Sequence, residues 1–519
     1  MTSVERLKLY TSVVPSRVQR SIQRDNFNAF VHYGLNTFAN KEWSDGTLSP
    51  EIFNPTNQDA EQWVKVLKFA GAKGIIFTAK HHDGFCMWQT ATTDYSVKSS
   101  PYLDGKGDVV KEVAAACKKH GVKFGIYLSP WDRNCPLYGS AEYDDFYVAQ
   151  LKELLTGYGE IFAVWLDGAC GAASDGKPVQ KYDFNRYYEV IRKLQPKAVI
   201  SNCGPDVRWV GNEGGFARDG EWCVIPEMDY GTQSIIEQSQ HEESENMKAP
   251  SAEMFGEELG SREMLEKYSE FVWSPAEVDV SIRPGWFYHK SQDSRIRSVN
   301  NLLYIYYTAV GGNSLLLLNV PPDATGRLND ADVDRLVRFA DRKNAAFSKP
   351  VTVDGVTAPV HEEGFKPKNM FRFGFDKNSF ESTGYYTPKD EADSYEITLK
   401  LAKTCKVDKL RLIENVSFSQ RVESFRIEAK VNGKFKTVYY GKTIGFNRIA
   451  FFRAVRTDEI KIVIDSCRLK PYIEYVGVFE QDKKGKNPHA SPLKSVMKAI
   501  HRLHYIRAAK KKAHTASDG

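Results

Sequence analysis

The sequence predicts an α/β chain in three parts. A (β/α)8-like barrel spans residues 1–345, an all-β sandwich spans 346–480, and a basic tail that reads as helical spans 481–519. Three observations carry this. From about residue 28 to 345, short continuously apolar runs alternate with amphipathic helical stretches, the pattern of a parallel sheet buried on both faces. Six or more such units favour a closed barrel over an open sheet. After 345 the helices stop and period-two alternation takes over.

The elements follow in order. Residues 28–34 (NAFVHYG) form a strand, 59–72 a helix closed by Gly71, and 74–79 (GIIFTA) the next strand. The helix over 108–121 keeps its Cys and Ala on the inner face and stops at Gly121. Strands at 123–129 and 161–167 flank a helix running through 147–159. The helix 185–196 and the strands 198–204 and 221–226 (EWCVIP) keep the rhythm. Residues 314–321 (SLLLLNVP) make the closing strand and 329–344 the last helix. The segment 231–270, with ten acidic and three basic residues, reads as a helical excursion near the barrel mouth. In the second part, 425–440 turns at Asn432-Gly433, the strongest hairpin pair, with Ile427, Ala429 and Val431 on one face. EIKIVI at 459–464 alternates likewise.

Composition narrows the function classes. With 42% hydrophobic and 26% charged residues, the 519-residue chain is neither disordered nor collagenous. The net charge of +5 belongs to the tail, where ten Lys/Arg face two Asp/Glu; the first 480 residues carry 61 basic and 64 acidic side chains. The folded body therefore gives no charge argument for nucleic acid. Eight scattered cysteines without a CxxC pair suit neither a disulfide framework nor a zinc site. No apolar run near the N-terminus has the length of a signal peptide, so the expected location is cytoplasmic, or extracellular if a leader has been removed. The tail places Leu493, Val496, Met497, Ile500 and Leu503 at helical spacing among Lys and Arg. It suits a helix packed on the protein's own body better than one lying on an anionic membrane or an acidic partner.

Reactive groups of a barrel collect where its strands end. Those ends carry His32, then His81-His82-Asp83, Tyr127 with Trp131, Asp167, and the loop holding Glu213. Metal binding is disfavoured because neighbouring strand residues such as His81 and His82 point to opposite faces, and no further ligand stands at a recognisable spacing. Neither a metal nor another cofactor is expected. A neutral polyhydroxylated ligand fits better, hydrogen-bonded by His, Tyr and Glu against Trp43, Trp131, Trp165 and Trp286. Glycoside chemistry then needs two carboxylates, one ionised and one with a raised pKa. Asp167, ending the strand before Gly168 and Ala169, is the candidate for the first.

The segments FVHYGLNTF (30–38), EWSDG (42–46), FTAKHHDGFCMW (77–88), FGIYLSPWD (124–132), VWLDGA (164–169) and AVGGNSLLLLNVPPDATGRL (309–328) resemble glycoside hydrolase family 29, the α-L-fucosidases. The resemblance runs from about residue 20 to 345, and the sandwich is similar to the galactose-binding-like modules of these enzymes. It implies a retaining exo-acting fucosidase with Asp167 as nucleophile, acting on a fucosylated oligosaccharide or glycoconjugate. It implies His32, Glu42, Trp43, His81, His82, Tyr127 and Trp165 around the sugar, with Trp286 over its methyl group.

The acid/base residue varies in position within that family. Glu213, Glu221, Glu227 and Glu277 are the candidates. Glu213 is favoured, because its glycine-flanked loop resembles the branch specific for α-1,3/1,4-fucosylated branched glycans. Glu277 is next and would suit the broader branch. A barrel that binds fucose without turnover is the competing reading, and the intact Asp167 argues against it.

Overall fold

The structure is a computed structural model that describes residues 2–171, 179–227 and 258–489. The apolar tail positions 493–503 and most of the acidic segment 231–270 lie outside the described residues. Among the described residues, ten strands belong to the first part: β1 (Phe27–Val31), β2 (Gly74–Lys80), β3 (Lys123–Leu128), β4 (Ala163–Leu166), β5 (Val199–Asn202), β6 (Arg208–Trp209), β7 (Val224–Pro226), β8 (Phe271–Trp273), β9 (Ala276–Ser281) and β10 (Leu315–Asn319). Eight of them form one parallel sheet in the order β5-β4-β3-β2-β1-β10-β9-β6. A single bridge, Ser201 to Val207, joins its two ends and closes it into a barrel.

The strand register gives the barrel its geometry. Continued from Trp165 through β3, β2, β1 and β10, the register comes level with Arg283, two residues past the end of β9. Followed the other way through β5 and β6, it reaches Pro275, eight residues away. That stagger is the shear of eight that an eight-stranded α/β barrel requires.

Continuous apolar runs conceal a period of two. Ala29, Val31, Ile75, Phe77, Ile126, Val164 and Ile200 face outward into one core with the surrounding helices. Their neighbours Phe30, Ile76, Tyr127, Trp165, Val199 and Leu317 face inward into a second cluster that fills the barrel. The helix Ala60–Ala70 starts at Asp59, whose side chain accepts the Gln62 N–H, and ends at Gly71 in the left-handed conformation (φ 107°). Asp108 and Gly121 bracket the helix Val109–His120 in the same way.

Two strand expectations change. EWCVIP is not a barrel strand: only Val224–Pro226 is extended, and it pairs antiparallel with Phe271–Trp273 off the barrel. The barrel instead uses β6, two residues long, and β9. β9 reads AEVDVS, so its inward Glu277 and Asp279 interrupt the apolar run that marks the other strands.

Beyond the last barrel helix, Asp330–Ala346, come β11 (Val353–Thr357), β12 (Tyr395–Glu414), β13 (Val422–Val431), β14 (Lys434–Gly441), β15 (Arg448–Cys467) and β16 (Ile473–Glu480), all antiparallel. β12 and β15 each run 20 residues. The first half of β12 pairs with β11 and the second half with β16, so the long strands carry the sheet around a single core. Asn432 (φ 52°) and Gly433 (φ 76°) make the hairpin between β13 and β14.

The sandwich grips the barrel through buried polar contacts. Arg24 forms a two-pronged ion pair with the buried Glu474. Gln420 accepts the Cys223 N–H at 2.8 Å and donates to Glu221 O at 3.3 Å, while Arg448 donates to Asp219 O at 3.1 Å. Residues 481–489, the start of the basic tail, lie along the barrel helices: Arg342 donates to Lys486 O and Asn300 to His489 O.

Candidate active site

Asp167 follows directly on β4, with its side chain 20% exposed at the barrel mouth. Tyr127 O–H donates to its Oδ2 at 2.8 Å and the Ala169 N–H to its Oδ1 at 2.9 Å. Both carboxylate oxygens are thereby held by groups from β3 and from the residue two further along its own chain. His82 Nε2 lies 3.8 Å from Oδ2.

The three histidines are gathered in one wall. His81 and His82 follow the end of β2 at Lys80, where the pleat no longer separates them. Their rings sit 4.1 Å apart, against the expectation of opposite faces. Even so, among the described residues no three His, Cys, Asp or Glu side chains are arranged so that they could hold one metal ion. Burial drives all three toward the neutral form: His32 falls to about 3, His82 to about 4, and His81 well below its ordinary value. For His82, the Asp167 carboxylate opposes that shift and Arg133 and Lys80 reinforce it.

Hydrogen bonds set the tautomers. Asn319 donates its amide N–H groups to Ser281 Oγ and Trp286 O, so its Oδ1 must accept from His32 Nδ1, 2.9 Å away. Ser129 donates to Trp131 O at 2.8 Å, which leaves its oxygen to accept from His82 Nδ1 at 2.7 Å. In both rings Nε2 is left as an acceptor, the form that receives a sugar hydroxyl.

Aromatic side chains frame the cavity. Trp43 meets His82 and Trp131 edge-on at 5.1 and 5.6 Å, and Tyr127 stacks on Trp165 at 5.5 Å. Trp286 leans on His32 at 5.0 Å, and Phe287 packs edge-on against both His32 and His81. Glu42 accepts the Trp286 N–H at 2.8 Å and contacts His289 Nε2 at 2.5 Å.

The four acid candidates separate clearly. Glu227 is exposed at the edge of the small ribbon. Glu221 is buried, and although burial works against its charge, Arg208 and Arg218 hold its carboxyl below the usual range. Glu277 is buried on β9 and accepts the Trp165 indole N–H at 2.8 Å; burial pushes it up to about 7. Trp165 faces the barrel interior, so the glutamate bound to its indole is held inside the barrel. Glu213 stands on the loop after β6, half-buried, with Trp286 Nε1 3.3 Å from its Oε2. Burial pushes it up to about 7, the negative charges of Asp167 and Glu42 add to this, and the indole N–H opposes it.

A model of the alpha-L-fucosidase family matches residues 10–341. The chain belongs to the α-L-fucosidase family. The fucosidase is 38% identical over 490 residues to Alpha-L-fucosidase 1 of Arabidopsis thaliana, covering 92% of this chain and 90% of that one. Among solved structures it is similar to SpGH29, with TM-score 0.79 and 32% identity over 91% of this chain and 99% of the other. It also superposes on a family 29 fucosidase of Ruminococcus gnavus in complex with fucose, with TM-score 0.76 and 29% identity, covering 92% and 96% of the two chains. The fucosidase is thus a glycoside hydrolase on a barrel of the kind its sequence predicts.

Sequence reasoning passed over several residues that shape this site. Asn319 ends an apolar strand and was open to the same strand-end argument as His32. Ser129, His289 and Asn212 act by holding His82, Glu42 and the Glu213 loop, contacts that no sequence spacing announces. Asp279 is buried on β9, accepts the Trp209 indole at 2.8 Å, and is pushed well above the carboxylate range by burial and by Glu213.

Proposed function

We propose that the fucosidase retains anomeric configuration, with Asp167 as nucleophile and Glu213 as acid/base, and that it prefers α-1,3/1,4-linked fucose on branched glycans. The observation that carries this is the contrast between the two carboxyls. Asp167 accepts two hydrogen bonds at the mouth, whereas Glu213 is pushed up to about 7 by burial and by the charge of Asp167 itself. An Asp167 oxygen would attack C1 as Glu213 protonates the departing glycosidic oxygen, so the leaving alcohol departs neutral. Glu213 would then take a proton from water, whose oxygen displaces Asp167. His32, His81, His82 and Glu42 would receive the sugar hydroxyls, with Trp43 and Trp286 against its apolar faces.

Linkage preference rests on the placement of the acid in a glycine-flanked loop. A broader specificity with Glu277 as acid is the second reading, supported by its own rise to about 7. Early product analysis by NMR decides the stereochemistry: β-fucose as the first product would overturn retention. Rates on Lewis-type trisaccharides beside an aryl fucoside decide the linkage. Poor turnover of the trisaccharides with fast turnover of the aryl substrate would overturn the branch assignment.

A further inference from the structure

Glu213 lies on a loop, yet an acid must present its proton at one point in space. Its loop is closed by its neighbour: Asn212 Oδ1 accepts the N–H groups of Gly214 and Phe216, at 3.1 and 3.2 Å, and Asn212 Nδ2 donates to Phe216 O at 3.0 Å. The free end of the carboxyl is met by Trp286, whose Nε1 lies 3.3 Å from Oε2. Trp286 is itself immobilised. Its N–H donates to Glu42 Oε2 at 2.8 Å, its C=O accepts from Asn319 Nδ2 at 2.8 Å, and its ring rests against His32 and Phe30. At the preceding Gly285 a Cβ would meet Glu42 Oε1, so a side chain there would push that carboxylate away from the Trp286 N–H and His289.

We propose that Trp286 is a positioning residue for the acid, its indole N–H holding Oε2 as the acceptor and so directing the transferable proton to Oε1 of Glu213. The reason is valence. An indole nitrogen only donates, so the oxygen it faces cannot carry the proton toward it. The acid then reaches the glycosidic oxygen with Oε1, and the same bond steadies the carboxylate left after transfer. This rests on Glu213 being the acid, and the test separates the two claims.

Trp286→Phe keeps an aromatic face and removes the donor. The altered ring face touches the sugar of both substrates alike, so the proposal is read in their ratio: kcat on a fucosylated disaccharide should fall roughly tenfold further than kcat on a dinitrophenyl fucoside, which needs little protonation. Losing a bond that steadies the carboxylate should move the alkaline limb of kcat/KM upward by ~0.5–1 pH unit. In protein labelled with 15N-tryptophan, the Trp286 indole resonance, assigned through its contacts with the rings of His32 and Phe30, should titrate with pH and cease to titrate in Glu213→Gln. An indole that does not titrate, or titrates equally in Glu213→Gln, overturns the proposal even if Trp286→Phe fails to fold. An acid-deficient Glu213→Gln beside an unmoved pH limb in Trp286→Phe also overturns it, with the Glu213 reading intact. Full activity of Glu213→Gln on the disaccharide overturns that reading, and the proposal with it.

Discussion

Asp167 and Glu213 occupy opposite kinds of support. Asp167 ends a buried parallel strand, and its partners Tyr127 and Ala169 come from the adjacent strand and its own chain. Glu213 projects from a loop after a two-residue strand, and its position depends on groups remote in sequence. Trp286 meets its carboxyl. The return arm at 219–223 is held by Asn313 from the barrel and by Gln420 and Arg448 from the sandwich. A barrel strand gives a side chain precision through its own hydrogen-bonding register, whereas a loop must borrow precision from elsewhere. Here part of it is borrowed from the sandwich, which holds the return arm through Gln420 and Arg448.

That contrast can be broken at either end. Asp167→Asn should leave the fold intact, since the side chain is partly exposed at a strand end, and should reduce turnover of an aryl fucoside by at least about three orders of magnitude. Appreciable turnover by a folded Asp167→Asn protein, with its circular dichroism unchanged, would remove Asp167 from the chemistry. Glu213→Gln should cost about 10²–10⁴-fold on a sugar leaving group and far less on a nitrophenyl one, with azide yielding a β-fucosyl azide. The same pattern in Glu277→Gln instead would place the acid on a strand and erase the contrast.

The pH dependence sharpens it. As the proposed acid, Glu213 would have to be protonated to act, and its carboxyl is raised to about 7, so kcat/KM on a disaccharide should decline as pH rises through about 7. Glu277 is also raised to about 7 when folded, from an ordinary value of 4.5. The folded state therefore binds more protons than the unfolded one between these values, and stability is lost as pH rises from about 4.5 to 7. Glu277→Gln should remove its share of that loss, on the order of 3 kcal/mol, measured as a smaller difference in urea midpoint between pH 4.5 and pH 8. An unchanged difference would mean that Glu277 is ionised in the fold. The smallest effect belongs to the sandwich. Gln420→Ala should slow the disaccharide by roughly tenfold at most and the dinitrophenyl fucoside hardly at all, since it loosens only the acid's loop. Equal slowing of both substrates would show that the contact braces the whole barrel.

Much of this was legible in the chain because strands carry their own signal. Continuous apolar runs marked β1 to β5 and β10, and reading their ends located His32, His81, His82, Tyr127 and Asp167 without any knowledge of the fold's closure. The same signal misled where chemistry displaced it. Glu277 and Asp279 face inward on β9 and break its apolar run, so periodicity does not mark that strand, whereas the apolar EWCVIP has the signal of a barrel strand although only its last three residues pair, and off the barrel. His81 and His82 were assigned to opposite faces by a pleat that ends one residue before them.

The sequence by itself determined the alternation of elements, the hairpin at Asn432-Gly433, and the residue types that a sugar site requires, because each follows from local periodicity and covalent geometry. The tertiary structure alone decided which ring nitrogen of His32 and of His82 is left as an acceptor, which buried glutamates are driven toward the protonated form, and which distant side chains hold the loop of Glu213. Those properties depend on burial and on hydrogen-bond partners such as Asn319, Ser129, Trp286 and Gln420, which lie tens to hundreds of residues from the groups they orient. Proximity of that kind exists only once the barrel has closed and the sandwich has docked against it.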